Sequence, residues 1–458
     1  MRAPKSRALT GAVLLAALAL PGTALASPLG KLTQLPKTDG CVVDSAKAHS
    51  SCAKVRALDG PGPFLGSRGV VVSPDGKNVY VAASKSDSIA VFKRNADKGT
   101  LKQASGTKGC IAANGAEGCA TAVGLDTPNS VAVSPDGKNV YATSKTSGSI
   151  TTFTRNQSNG ALSPGGCMAT VSTPGCQPVR AMTGADVVVV SPDGNNVYVG
   201  AFFGNAVVTF DRNPSTGALT QPAGASGCIA ESTSEGCAQG LGLGAPEGLA
   251  ISGDGEHVYA AGALSSSVVS LRRNASTGTL SEALDGSDCI SNAGQATCAT
   301  GFQLSGANAV DVSPDDANVY VTSLFSNSVT SFASGSAPPL VQNPGTTGCL
   351  VYLVAIGCSL GHALEAPEGV VVSPDGANVY AAAFKSGAVA VLDRDASTGG
   401  VMQKAGPAGC FTRASNADCK TGRALRGAGS LALSPDGAYL YVTGWGSDAV
   451  SVFRRQTG

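Results

Sequence analysis

One phrase recurs seven times along this chain, at intervals of roughly sixty residues. The first copy runs from Val70 to Phe92 and contains a β-branched run, a Ser-Pro-Asp-Gly turn and two further apolar runs. The serines that open the seven turns are Ser73, Ser134, Ser191, Ser252, Ser313, Ser373 and Ser434. A fixed period of this length is typical of propellers and repeat arrays.

Each repeat predicts four short antiparallel strands. The β-branched and aromatic residues favour strands, and the Pro and Gly of the turn supply the backbone angles that a tight turn needs. The predicted strands of the first repeat are 70–72, 79–82, 88–92 and 99–103. Four antiparallel strands per repeat make a propeller blade, so the sequence predicts an all-β, seven-bladed propeller.

Two copies of the turn depart from the pattern. Gly253 replaces Pro in the fourth copy, and Asp316 replaces the turn Gly in the fifth. Asp is among the few residues that tolerate the left-handed backbone region, so we expect the fifth turn to keep its shape.

The two ends of the chain predict how the ring closes. Residues 30–34 resemble the fourth strand at 99–103, and the last repeat ends at Gly458, where its own fourth strand should begin. We therefore expect the N-terminal strand to complete the C-terminal blade, which leaves no open sheet edge.

The N-terminus predicts export. Arg2, Lys5 and Arg7 precede the apolar run Ala12 to Leu20, and Ala24-Leu25-Ala26 fits a signal-peptidase site. We assign residues 1–26 to a signal peptide and 27–458 to a single propeller domain, secreted or held at the cell surface. An uncleaved membrane anchor is the alternative. After cleavage no further apolar stretch is long enough to span a bilayer.

The 14 cysteines fall into seven neighbouring pairs. The pairs are Cys41 with Cys52, Cys110 with Cys119, Cys167 with Cys176, Cys228 with Cys237, Cys289 with Cys298, Cys349 with Cys358, and Cys410 with Cys419. An even count, one pair per repeat and an export signal indicate disulfides between fourth strands and the next blade. Metal sites are the competing interpretation, but zinc ligands prefer closer spacing and the chain has only 3 histidines.

The repeated V-x-V-S-P-D-G-x-x-V-Y-V pattern, followed by S-x-x-V-x-V, resembles the YVTN repeat of the lactonase-like seven-bladed propellers. That family includes phosphogluconolactonase-type enzymes, carboxymuconate cyclase-type enzymes and secreted or surface proteins without known activity. The resemblance implies the fold, and lactone hydrolysis as one function among several, because a fold hosts many activities.

A ring of mostly polar residues is predicted at one mouth of the central channel, five positions before each turn serine. Its members are Arg68, Asn129, Asp186, Glu247, Asn308, Glu368 and Gly429. Asn129, Asp186, Glu247, Asn308 and Glu368 offer the oxygen ligands that calcium prefers, and their carboxylates suit acid–base work. The alternative is a water-filled mouth that needs polar side chains on any propeller.

The loops between second and third strands open on the same face and predict a binding surface. In blades three to seven they carry apolar or aromatic residues, and exposed apolar clusters often mark ligand or protein contacts. The residues of this predicted face are Phe202, Phe203, Phe325, Phe384 and Trp445. Burial under the disulfide loops is the alternative.

Catalytic residue types are few. His49 lies in the first cysteine loop and His257 beside the fourth turn, so only His362 is placed near the predicted mouth. His362 and Glu368 are the candidate catalytic pair, with His362 as the base and Glu368 as the group that orients it.

The sequence therefore favours a secreted, monomeric, non-catalytic propeller that presents a binding face to a small molecule, glycan or protein. The alternatives are a lactone hydrolase and a structural cell-surface module. Calcium is the one candidate cofactor. Net charge is +1, without the basic footprint of a nucleic-acid-binding protein.

Overall fold

Each repeat forms one β-sheet, and the seven sheets are the blades of a propeller. The computed structural model describes residues 29–47, 51–62, 68–292, 297–335, 340–414 and 417–457. The predicted signal peptide and His49 lie outside these ranges. Blades are numbered one to seven from Val70. The first strand of each blade packs beside that of the next, and that of blade seven beside blade one, so the ring is closed.

The three inner strands of each blade form an antiparallel meander. The first strands are Val70–Val72, Pro128–Val133, Ala185–Val190, Pro246–Ile251, Ala307–Val312, Pro367–Val372 and Ala428–Leu433. The second strands are Asn78–Ala83, Asn139–Ser144, Asn196–Ala201, His257–Gly262, Asn318–Ser323, Asn378–Ala383 and Tyr439–Gly444. The third strands are Ser88–Arg94, Ser149–Arg155, Ala206–Arg212, Ser267–Arg273, Ser328–Ser334, Ala388–Arg394 and Ala449–Arg455.

The outer part of each blade is more elaborate than the predicted single fourth strand. In blade two the fourth strand is continuous, Leu162–Ala169, whereas elsewhere it is divided into two halves. The first halves are Leu32–Gln34, Leu101–Gln103, Leu219–Thr220, Leu280–Ser281, Leu340–Gln342 and Val401–Gln403. The second halves are Cys41–Asp44, Cys110–Ala112, Cys228–Ala230, Cys289–Asn292, Cys349–Val351 and Cys410–Thr412.

A short fifth strand then pairs in parallel with the outer end of the fourth. The fifth strands are Ala53–Val55, Ala120–Thr121, Gln177–Pro178, Ala238–Gln239, Ala299–Gly301, Ser359–Leu360 and Lys420–Thr421. Short 3-10 turns lie at Lys37–Gly40, Gly106–Lys108, Ala116–Gly118, Gly224–Gly227, Thr346–Gly348 and Gly406–Ala408. Within the described ranges no helix is long and apolar enough to cross a lipid bilayer.

All seven predicted disulfides are present. Their position differs from the prediction, which placed them in the connections between blades. Cys110 lies in the fourth strand opposite Ala90, and its partner Cys119 directly precedes the fifth strand. Each bridge therefore fastens the fifth strand to the outer edge of its own blade. So many disulfides indicate an extracellular or periplasmic protein.

The predicted closure of the ring is confirmed. Leu32–Gln34 pairs antiparallel with the last strand, with Leu32 opposite Arg455. Leu32 is fully buried against Tyr380 and Phe453, and the Tyr380 hydroxyl donates a 2.8 Å hydrogen bond to the Gly30 carbonyl. The two ends of the chain thus share one blade, and that blade is also joined to blade six.

A buried arginine joins neighbouring blades at six of the seven seams. Arg155, which ends the third strand of blade two, reaches back to blade one and donates to the Tyr80 hydroxyl at 2.8 Å, the Asn78 amide oxygen at 2.7 Å and both Asp75 carboxylate oxygens at 2.9 Å. The arginines in this position are Arg94, Arg155, Arg212, Arg273, Arg394 and Arg455. Charge-assisted bonds to a buried guanidinium hold each turn against the next blade.

The seam between blades four and five is built differently. Ser334 takes the place of the arginine and shares a 2.6 Å hydrogen bond with the Tyr259 hydroxyl. The two unusual turns meet here, because the backbone N–H groups of Gly253 and Asp254 donate to the Asp316 carboxylate at 2.6 and 3.0 Å. A proline at position 253 would have no such N–H. Asp316 has φ 55°, as predicted.

Candidate functional site

The predicted polar ring sits at the start of the first strands, in a β-bulge that recurs from blade two to blade seven. The pairing with the second strand shifts register at the ring position, for example between Pro128 and Ser130 around Asn129, and between Pro367 and Gly369 around Glu368. A bulge leaves one residue out of the ladder and redirects its side chain. The repeated bulge explains how these polar groups reach the channel mouth.

Asp186 is the centre of a buried polar cluster. The Asn129 amide donates to one of its carboxylate oxygens at 2.6 Å, and the Lys145 ammonium lies 3.0 Å from the other. Lys145 also lies 3.9 Å from the centre of the Phe202 ring. Blades two and three are therefore tied together at the mouth by an ion pair that an aromatic ring shields.

Glu247 and Glu368 are buried carboxyls whose proton affinity is raised. Burial, together with the nearby charge of Asp186, raises the pKa of Glu247 to about 8. Burial raises the pKa of Glu368 well above its usual range, and the charge of Glu247 raises it further. One Glu368 carboxyl oxygen is buried without a hydrogen-bond partner. Two carboxyls with strongly raised pKa values at a channel mouth are characteristic of functional sites.

The remaining ring positions do not add charge to this cluster. Asn308 bonds to Thr322 at 2.9 Å and to the Pro367 carbonyl at 3.1 Å. Arg68 instead reaches to Asp311 at 2.7 Å, on the wall of the channel. Below Arg68 the channel opens towards the turn face as a cavity of about 400 Å³ lined largely by valines of the first strands.

The second-to-third strand loops lie directly above the ring. The backbone N–H of Phe384 donates to Ala366, two residues before Glu368, and that of Trp445 donates to Gly427 in the same way. Phe202, Phe384 and Trp445 are half-buried, whereas Phe203 and Phe325 are 64% and 71% exposed. The disulfide loops therefore do not bury this predicted face. A binding role for it stays a prediction.

A cavity of about 320 Å³ opens on this face between blades six and seven. Phe384 and Trp445 form its apolar walls, with ring centres 6.2 Å apart. Its cations are Lys385, Arg413 and Arg426, and Lys385 lies 3.7 Å from Glu365. Because Pro367 pairs with Ala383, the residue before Phe384, the cavity adjoins the end of the strand that carries Glu368. This group of cations was not predicted, because Lys385, Arg413 and Arg426 come from three separate loops.

His362 does not join this site. Its ring lies 3.7 Å from the Asp418 carboxylate, and both side chains are largely exposed. The expected pairing of His362 with Glu368 is therefore wrong, because the loop turns His362 outward while Pro367 leads Glu368 into the buried ring.

Among the described residues, no three His, Cys, Asp or Glu side chains are grouped in a way that could hold a metal ion. The calcium site suggested for Asn129, Asp186, Glu247, Asn308 and Glu368 stays a prediction. Both asparagines already direct their amides at neighbouring groups.

The raised pKa of Glu247 predicts a particular pH dependence of stability. A carboxyl whose pKa rises from 4.5 to about 8 on folding favours the folded state at low pH and loses that contribution as the pH rises between these values. Glu247→Gln should match the wild type near pH 5 and exceed it by an amount that grows by up to about 1.4 kcal/mol per pH unit towards pH 8. Urea denaturation at several pH values measures this difference. Parallel stability curves would contradict the assignment.

With the fold and the site in view, comparison with known proteins defines the class. The family model described as "Lactonase, 7-bladed beta-propeller" matches residues 66–179, 167–289 and 245–410. These segments cover more than half of the chain, so the protein belongs to the lactonase-type seven-bladed propellers. No curated protein matches it in sequence.

Solved structures with the same fold are distant in sequence. A candidate 6-phosphogluconolactonase from Bacteroides fragilis is 20% identical over 73% of this chain and 81% of its own, with a TM-score of 0.52. A periplasmic gluconolactonase from Pseudomonas aeruginosa is 17% identical over 86% of this chain and 96% of its own, also with a TM-score of 0.52. At such identities the likeness concerns the fold alone.

Proposed function

We propose that this exported protein hydrolyses a small lactone in the cavity between blades six and seven. The observation that carries the proposal is the buried Glu368 carboxyl, with its raised pKa and one unpartnered oxygen, at the strand end beside a cavity that combines aromatic walls with cations. Membership of the lactonase-type family supports the same reaction.

The side chains present suit the chemistry of ester-ring opening. Arg426 and Lys385 are placed to attract the negative charge that develops on the carbonyl oxygen during attack. The Glu247–Glu368 pair takes a proton from water as its oxygen attacks the carbonyl carbon. The pair returns a proton to the ring oxygen as the C–O bond breaks, which yields a hydroxy acid.

The substrate class follows from charge and shape. Aromatic walls favour the flat, apolar face of a small ring, and the three cations Lys385, Arg413 and Arg426 accommodate a negative group on the substrate. We therefore expect a small lactone, with or without an anionic substituent. The substrate reaches the carboxyls by rotation of the Phe384 and Trp445 side chains.

Activity on a panel of sugar and aliphatic lactones, both neutral and phosphorylated, tests the proposal. We expect turnover above the spontaneous rate, with kcat/KM rising as the pH approaches about 8, because the carboxyl pair must lose a proton to act as a base. Glu368→Gln should lower kcat by roughly 10²–10⁴-fold. Arg426→Ala should also lower kcat/KM, and Lys102→Ala, which removes an exposed cation from an outer strand, should not. Absence of turnover with every lactone, or full activity of Glu368→Gln, would contradict the proposal.

Ligand binding without catalysis is the second candidate, and one observation favours it. Glu247 and Glu368 are each only 2% exposed, so the carboxyls are sealed from bulk water. Under this alternative a lactone or its hydroxy acid binds the same cavity, Arg426→Ala weakens binding, and Glu368→Gln leaves the spontaneous hydrolysis rate unchanged.

A further inference from the structure

Blade five carries no charged residue from its second strand to its fifth. From Ala317 to Gly361 the sequence contains no Asp, Glu, Lys or Arg, although such residues make up 14% of the chain. The usual arginine at the end of the third strand is replaced by Ser334 within this stretch. Beyond its first strand and turn, which carry Asp311, Asp315 and Asp316, the blade thus differs from its neighbours in composition.

The disulfide loop of blade five is apolar and fully exposed. Between Val351 and Cys358 the side chains of Leu353, Val354 and Ile356 are 66%, 85% and 102% exposed. The bridge from Cys349 to Cys358 and a 3.0 Å hydrogen bond from the Tyr352 backbone N–H to the Asn327 carbonyl hold the loop in place. Exposing so many large apolar side chains is costly in water unless another apolar phase covers them.

Corresponding loops on other blades are polar. Glu117 in blade one and Glu235 in blade three stand where Ile356 stands, seven residues after the first cysteine. Their carboxylates accept hydrogen bonds from the backbone N–H groups of Ala57 and Ala181. Ile356 projects into solvent instead. The apolar loop is therefore a property of blade five and not a requirement of the repeat.

We propose that blade five docks on the surface of a lipid bilayer, with Leu353, Val354 and Ile356 inserted at the boundary between headgroups and acyl chains. Insertion desolvates no charged group of the loop or of the strands that flank it, because residues 317–361 contain none. Tyr352, 38% exposed at the base of the loop, is a residue type that favours the membrane interface. Leu360, Val341 and Phe325, which are 58%, 48% and 71% exposed, add apolar surface on the same blade.

A fluid lipid partner fits this loop better than a protein does. Stable protein interfaces bury about 800 Å² on each partner and centre on a packed core of anchor residues in pockets. A convex tip of three aliphatic side chains meets neither condition by itself. Shallow insertion of apolar side chains is the way in which peripheral proteins hold to membranes without crossing them.

Vesicle flotation with the full-length mature protein tests the proposal. We expect it to float with neutral phosphatidylcholine vesicles, and adding phosphatidylglycerol or salt should change the partition coefficient little, because blade five has no cations. Val354→Asp and Ile356→Glu should each lower the partition coefficient by about tenfold or more. Thr233→Asp adds the same charge at the matching position of the polar blade-three loop and should leave partition unchanged.

Several results would overturn the proposal. The proposal is wrong if the wild-type protein stays below the vesicles, or if Val354→Asp protein floats as well as the wild type. It is also wrong if binding requires anionic lipid and disappears in salt. Self-association that Val354→Asp abolishes, without flotation of the wild type, would show that the loop contacts protein. Ile356→Glu keeps these outcomes interpretable, since blades one and three already accommodate Glu at this position. Lactone turnover is independent of all of them.

Discussion

Deletion of residues 27–34 is expected to leave a chain that aggregates and does not form a stable monomeric propeller. The deletion removes the strand that pairs with the last strand of the chain, the buried Leu32 side chain and the Gly30 carbonyl that binds Tyr380. Loss of one such leucine alone costs about 2–5 kcal/mol, against a total stability of typically 5–15 kcal/mol. The exposed edge of blade seven would also recruit other chains.

Two point variants distinguish the effect of losing ring closure from the effect of losing one buried apolar side chain. Leu32→Ala and Leu101→Ala remove the same side chain from equivalent strands of blades seven and one. Both should lower the free energy of unfolding by comparable amounts, whereas only the deletion should produce aggregates in size-exclusion chromatography. A deletion variant with an unchanged melting temperature would show that the N-terminal strand does not close the ring.

Replacement of Arg155 by Met is expected to destabilise the protein by about 3–5 kcal/mol, because the buried Asn78 and Tyr80 oxygens each lose a donor at a cost of about 1–3 kcal/mol and the partly exposed Asp75 loses its ion pair. The variant leaves Asp75, Asn78 and the Tyr80 hydroxyl without their shared donor. Ser334→Ala, at the matching position of blade five, removes only a neutral hydrogen bond and should cost about 1 kcal/mol. Equal losses for the two variants in urea denaturation would contradict the role assigned to the arginines.

Low pH should reduce the difference between the stability losses of Arg155→Met and Ser334→Ala. Burial alone would raise the pKa of Asp75, but the hydrogen bonds from Ser73 and Arg155 outweigh burial and hold the pKa below its usual value of 3.8. A lowered pKa stabilises the folded state above 3.8 and loses that contribution as the pH falls through the lowered value. The cost of Arg155→Met should therefore decrease as the pH falls below 3.8.

The regular features of the fold could be predicted because they repeat. Seven copies of one strand-and-turn phrase predict seven blades, and the incomplete last copy predicts closure by Leu32–Gln34. The arginine at the end of six of the seven third strands is equally visible in the sequence. Its role was missed because its partners lie in the previous blade, roughly eighty residues away.

The sequence also does not reveal that two unusual turn residues compensate for each other. Gly253 and Asp316 are separate departures from the turn pattern, yet the structure joins them in one hydrogen bond across a seam. Such a contact depends on the angle between neighbouring blades, which local sequence does not specify.

The site was only partly predictable for the same reason. Counting from the turns places Asp186, Glu247 and Glu368 at equivalent positions of their blades, and the structure has each of them in the bulge at the start of a first strand. Their raised pKa values depend on burial and on contacts between blades. The outward turn of His362 and the cations beside Trp445 depend on loop conformations that have no counterpart in the repeat.

A crystal structure of the protein soaked with a slowly hydrolysed lactone, or with the hydroxy acid that hydrolysis yields, tests the central claim most directly. The account predicts density in the cavity between Phe384, Trp445 and Arg426, with a ligand oxygen within hydrogen-bond reach of Arg426. Density instead in the valine-lined cavity on the turn face, or no bound ligand at saturating concentration, would contradict it.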